Sequence, residues 1–174
     1  VWDDYGKKMK AILKGYREGL PFSIKMQPNG LIWAGEKGYA ITWMDAVIQA
    51  KPVTPRIGYP VEINALWYNA LMFTLELATK NKDLRFVKEW QPIADQVKKS
   101  FNELFWIPEK NYLADYVDEN GQNWDIRPNQ LFAVSLPYSP IDDEKKIAVL
   151  NVVSHELYTP KGLRTLSPNN PNYK

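Results

Sequence analysis

Residues Ile41–Leu71 read ITWMDAVIQAKPVTPRIGYPVEINALWYNAL, and three textures succeed one another along them. The alternation Tyr39-Ala40-Ile41-Thr42-Trp43 predicts a short strand, with Asp45 just past its end. A polar, proline-punctuated loop follows, carrying Thr54, Pro55 and Arg56 and then Gly58-Tyr59-Pro60. From Val61 to Thr79 the pattern turns helical. Ile63, Leu66, Trp67, Ala70, Leu71, Phe73, Leu75 and Leu77 leave little polar surface around that helix, so it is expected to be buried on more than one side. A helix of that kind sits at the centre of a helical fold, and its neighbours supply the rest.

Upstream, Trp2, Tyr5, Met9, Ile12, Leu13, Tyr16 and Leu20 recur at three- and four-residue steps, predicting an amphipathic helix that Pro21 ends. Phe22–Met26 and Leu31–Trp33 flank Pro28-Asn29-Gly30, which predicts a hairpin. Downstream, Asp83 is placed to cap a helix whose inner face holds Phe86, Val87, Trp90, Ile93, Ala94, Val97, Phe101, Leu104 and Phe105. Pro92 is expected to kink or divide it. A second strand pair runs from Ile107 to Trp124, with Tyr112–Val117 turning at Asn120-Gly121. Short helical stretches follow over Leu131–Leu136 and Pro140–Tyr158, the latter presenting Ile147, Leu150, Val153 and Leu157 on one face. The remainder, Thr159–Lys174, reads as loop.

Composition excludes several functions. The 174 residues carry a formal net charge of +2 and no basic run, which argues against nucleic acid or an anionic membrane as partner. Cysteine is absent and His155 is the single histidine, so thiolate chemistry, a histidine metal site and a serine–histidine triad are all disfavoured. No apolar run reaches the length of a membrane span. Seven tryptophans are more than a core of this size needs.

An acid, an arginine, two indoles and two carboxamides close together in sequence suit a polyol site. Asp45 is the candidate general acid. Partial burial against Trp43 and Met44 would favour its protonated form; the alternative is a cap or loop carboxylate. Arg56 is fit either to hold substrate hydroxyls or to pair with Glu62 on the following helix. Asn64 and Asn69, on an otherwise apolar helix, each need hydrogen-bond partners. Trp43 and Trp67 could serve as sugar platforms, but aromatics of this size are more often core. Arg127, Asn129 and Gln130 form a second polar cluster, for which loop stabilisation is the competing role. His155, late in a helix, suits a helix-end charge.

The wording Thr42-Trp43-Met44-Asp45-Ala46, Thr54-Pro55-Arg56 and Pro60–Leu71, followed by Ile126-Arg127-Pro128-Asn129-Gln130 and Leu157–Leu166, resembles the C-terminal glucosidase region of glycogen debranching enzymes. The first blocks also resemble segments of trehalases. The resemblance implies an all-α-dominated fold, a partial (α/α)6 toroid of the six-hairpin type with short β-hairpins in its loops. About six of the twelve helices of such a toroid are expected here. It further implies hydrolysis of α-1,6-linked glucose at the branch stubs of an α-glucan, with Asp45 as acid. Trp43, Arg56, Glu62, Asn64, Trp67, Arg127 and Asn129 would line the pocket. The base of such an inverting enzyme lies downstream of the Leu163-Arg164-Thr165-Leu166-Ser167 segment, past Lys174. This implies one incomplete catalytic domain over residues 1–174, inactive alone, in a cytoplasmic protein with no metal or organic cofactor. Apolar faces left open by the missing half would drive self-association. Alternatives are another toroid glycosidase of trehalase or α-glucosidase type, a non-catalytic carbohydrate-binding helical domain, and a purely structural helical scaffold.

Overall fold

The computed structural model describes residues 1–173. Among them five α-helices carry the fold: α1 (Trp2–Glu18), α2 (Val61–Lys80), α3 (Leu84–Phe105), α4 (Leu131–Ser135) and α5 (Asp143–Glu156). The central one is α2, which packs against α1, α3 and α4. Val61, Ala65, Tyr68, Leu71, Leu75 and Ala78 on it are buried, as its all-round apolar sequence requires. Its remaining stripe is partly open: Leu66 and Phe73 are exposed and Ile63, Ala70 and Leu77 are half-buried. No helix is long and apolar enough to cross a membrane among the described residues.

The helix ends follow local chemistry. Asp83 caps α3 by accepting from the Phe86 amide at 3.2 Å, and Asp142 caps α5 by accepting from the Lys145 amide at 2.8 Å. Pro92 does not divide α3, which is continuous over 22 residues. Burial of Trp90, Ala94, Val97, Phe101 and Phe105 on one stripe outweighs the one hydrogen bond a proline removes. In α5 the buried residues are Val149 and Val153, while Ile147 and Leu150 face outward. Of the expected inner face, Val153 and Leu157 are buried and Ile147 and Leu150 are not, because α5 packs on α4 and on short strands, not along a single helix groove.

Strands are confined to short ribbons in the connections. β1 (Lys25–Met26) pairs with β2 (Ile32–Trp33) around the Pro28–Gly30 turn. β3 (Val47–Ile48) pairs with β4 (Lys51–Pro52). β5 (Tyr59–Pro60), β8 (Tyr116–Asp118) and β9 (Gly121–Gln122) form a three-stranded sheet in the order β5-β8-β9. β6 (Trp106–Ile107) pairs with β7 (Tyr112–Leu113), and β10 (Tyr158–Thr159) with β11 (Gly162–Leu163), inside a tail that reads as loop from sequence. Gly58 permits the β5–β8 contact. Its φ is +136°, and a Cβ there would lie 2.3 Å from the Val117 carbonyl oxygen. Tyr39–Trp43 is not a strand. No neighbouring strand pairs with it, and its side chains go elsewhere: Tyr39 packs on Phe22 and the Trp43 indole reaches across to Asn129.

Candidate active site

The β5–β8 pairing brings two distant polar segments together beneath the loop that carries Asp45. Arg56, 4% exposed, is the hub. It donates from Nη1 and Nη2 to the Glu62 carboxylate at 2.5 and 2.7 Å, and from Nε to Asp115 Oδ2 at 2.9 Å. A further bond runs from Nη2 to the Asp115 carbonyl oxygen at 2.9 Å. The same carbonyl accepts from the Val61 amide at 3.1 Å, so the cluster also ties down the first turn of α2. Burial alone would lower the Arg56 pKa. The hydrogen bond to Glu62 and the charges of Asp115 and Glu62 instead hold it above its ordinary value.

Asp115 is 2% exposed and is the second centre. Its Oδ1 accepts from Asn129 Nδ2 at 2.6 Å, and Arg127 Nε stands 3.7 Å from its Oδ2. Burial raises its carboxyl from the ordinary value to about 6, and the Glu62 charge pushes the same way. Arg56, Asn129 and Arg127 oppose the rise without cancelling it. Arg127 completes the wall, donating to the Thr165 carbonyl at 3.1 Å and to Asp125 at 3.2 Å. Asn129 then turns outward. Its Oδ1 accepts from Trp43 Nε1 at 2.8 Å, and its Nδ2 lies 3.4 Å from the Met44 sulfur. The segment Trp43–Asp45 is therefore tethered to the buried cluster through one carboxamide.

Five of the side chains singled out from sequence thus meet: Trp43, Arg56, Glu62, Arg127 and Asn129. The Arg56–Glu62 pairing is present. Asn64 and Trp67 sit apart from them. Asn64 accepts from the Ile32 amide at 2.7 Å and donates to the Ile32 and Pro60 carbonyls, acting as a strand partner for β2. Trp67 is 5% exposed, donates to the Gly30 carbonyl at 3.0 Å and packs edge-on against Trp90. Both were expected to line the pocket; both are occupied in the interior instead, Asn64 by the β2 backbone and Trp67 by Tyr16 of α1 and Trp90 of α3. Asn69 finds its partner in the Tyr138 amide at 3.1 Å. His155 is exposed in the last turn of α5.

Asp45 corrects a further expectation. Its side chain is exposed, not partly buried. Trp43, 52% exposed, points its indole at Asn129 and so does not cover the carboxylate. The residue that sequence reasoning overlooked is Asp115. The available signal was charge arithmetic: two arginines in polar, buried segments need more than Glu62 to neutralise them, and Asp115 closes the apolar run Tyr112-Leu113-Ala114. Beside the cluster lies a cleft of about 760 Å³, walled by Thr54, Pro55, Asp115, Tyr116, Arg127 and Thr165 among others.

Comparison with known families agrees with the motif wording. Residues 2–174 match the family model of amylo-alpha-1,6-glucosidase. The chain belongs to the amylo-alpha-1,6-glucosidase family. It is also 29% identical, over 84% of its length, to the glycogen debranching enzyme of Saccharomyces cerevisiae, of which it spans 12%. In three dimensions it resembles the GH78 family rhamnosidase of Bacillus sp. GL1, with a TM-score of 0.63 at 18% identity. That likeness covers 93% of this chain and 15% of the rhamnosidase, and it concerns the fold alone.

Proposed function

We propose that these residues form one wall of the active site of an α-1,6-glucosidase acting on the branch stubs of an α-glucan, within a half of an (α/α)6 toroid. The carrying observation is the tether: Trp43, immediately before Met44 and Asp45, is fixed to a buried cluster by Asn129. An acid on a loop held at its base can meet a glycosidic oxygen in a reproducible place. Asp45 donates its proton to the departing oxygen. A second carboxylate, supplied from outside these residues, takes a proton from water as the water attacks C1 from the opposite face. The two carboxyls then stand roughly 6.5–9.5 Å apart and the configuration inverts. Arg127 and the rim of the 760 Å³ cleft contact sugar hydroxyls. Because Asp45 is exposed here, the proposal requires bound glucan and the facing wall to cover it.

The test uses a limit dextrin as substrate. The 174-residue chain alone should show no turnover, and full-length enzyme carrying these residues should be active. Asp45→Asn in the latter should lower kcat by about 10²–10⁴-fold while leaving sugar affinity in place. Turnover by the 174-residue chain at the full-length rate, or an active Asp45→Asn enzyme, overturns the proposal. Uncovered apolar surface along α2, including Leu66 and Phe73, should make the chain self-associate. A single monomeric boundary in sedimentation at high concentration would contradict that part.

A further inference from the structure

We infer that Asp115 is a positioning residue, which sets the place of the Asp45 loop through the chain Asp115–Asn129–Trp43. The inference rests on the reading of Asp45 as the proton donor, but its geometry stands without it.

The chain has direction. Asp115 Oδ1 accepts from Asn129 Nδ2 at 2.6 Å, which fixes which end of that carboxamide faces inward. The oxygen is thereby turned toward the loop, where it accepts from Trp43 Nε1 at 2.8 Å. An indole is a donor only, so Trp43 needs an oxygen at that point and would be repelled by the NH2 group of a flipped Asn129. Asp115 itself cannot serve as the proton donor in this arrangement. Both its carboxylate oxygens accept, from Asn129 and from two nitrogens of Arg56.

Proton binding at Asp115 would undo the relay. A proton on Oδ1 displaces the Asn129 NH2 group, the carboxamide loses its orientation, and the Trp43 bond weakens with it. Charged groups face Asp115 from every side. Arg56 and Arg127 favour the carboxylate; Glu62 and burial oppose it. Tyr116 adjoins it in the chain, and Asp125 is paired with Arg127. The net result is a carboxyl raised to about 6, so the relay is intact above that pH and slackens below it.

The experiment follows the Trp43 indole N–H signal of the 15N-labelled chain by NMR, assigned with Trp43→Phe, from about pH 4.5 to about pH 8. The signal should shift with a midpoint near 6. In Asp115→Asn it should stay flat, and Asn129→Ala provides the same test should Asp115→Asn not fold. Asp45→Asn should leave the titration in place. In full-length enzyme, Asn129→Ala should lower kcat roughly tenfold to a hundredfold with KM changed by less than about twofold. A Trp43 signal that is flat in the unaltered chain, or a titration surviving in Asp115→Asn or Asn129→Ala, overturns the inference. So does a rise in KM with kcat unchanged, which would make Asn129 a sugar contact. If the titration appears as described but Asp45→Asn retains activity, the donor assignment fails and the relay remains. If the signal is flat and Asp45→Asn is inactive, the relay fails and the donor assignment remains.

Discussion

The buried cluster around Arg56 and the exposed loop at Trp43–Asp45 are two kinds of polar structure, and they lie one carboxamide apart. In the cluster Arg56, Glu62 and Asp115 pair at hydrogen-bond distance and almost no side chain reaches water, while Arg127 stands off at 3.7 Å from Asp115. In the loop the carboxylate is exposed, and one carboxamide, Asn129, ties it to the rest through the Trp43 indole and the Met44 sulfur. Interior charges left unpaired are costly, so the cluster must form completely or not at all. An exposed loop carries no such penalty, and its geometry is borrowed from whatever holds it. The contrast separates what fixes the fold from what is available to a substrate.

The sharpest way to break the contrast is to empty the hub. Arg56→Leu leaves Glu62 and Asp115 facing each other with Arg127, 3.7 Å from Asp115, as the remaining cation, and should destabilise the chain by about 3–5 kcal/mol in urea unfolding. A loss below about 1 kcal/mol would mean that the cluster is wetter than its burial shows. Titration gives a smaller effect. The folded-state value of Asp115 is raised from the ordinary 3.8 to about 6, so its contribution is fully present below about pH 4 and is lost as pH rises through about 6. That limb amounts to roughly 3 kcal/mol. Asp83 and Asp142 run the other way, since lowered values make their contributions fade as pH falls. Comparing stability against pH for the unaltered chain and Asp115→Asn isolates the limb, and parallel curves would remove Asp115 as its source. The smallest effect belongs to the loop. Trp43→Phe deletes one half-exposed hydrogen bond and should cost only about 0.5–1.5 kcal/mol, read from the same unfolding curves. A cost matching that of Arg56→Leu would show the loop to be part of the cluster.

How much of this was legible in the sequence follows the same division. The helices were, because each carries its own local pattern: α2 its apolar circumference, α3 its inner stripe and the Asp83 cap. The Arg56–Glu62 pair was legible too, being six residues apart on a loop and the helix it leads into. Asp115 was not. Its partners lie 59 and 14 residues away, and only the β5–β8 pairing brings them together. Trp67 and Asn64 misled because motif wording specifies a residue type but not which face of α2 turns inward. The alternation at Tyr39–Trp43 misled for a related reason, since a strand needs a neighbour and the local pattern cannot supply one. The hairpin β3–β4 gave no turn signal at all: Gln49 and Ala50 both take positive φ, at 49° and 60°, where Asn-Gly is the usual wording.

The brevity of those ribbons bears on how such an aromatic-rich chain stays out of fibrils. The longest strand among the described residues, β8, has three residues, and the others have two. Stacking of molecules through cross-β edges takes a continuous segment of about six or seven. Folded copies therefore offer one another no ladder to extend, and any clumping of intact molecules should be amorphous and blind to thioflavin.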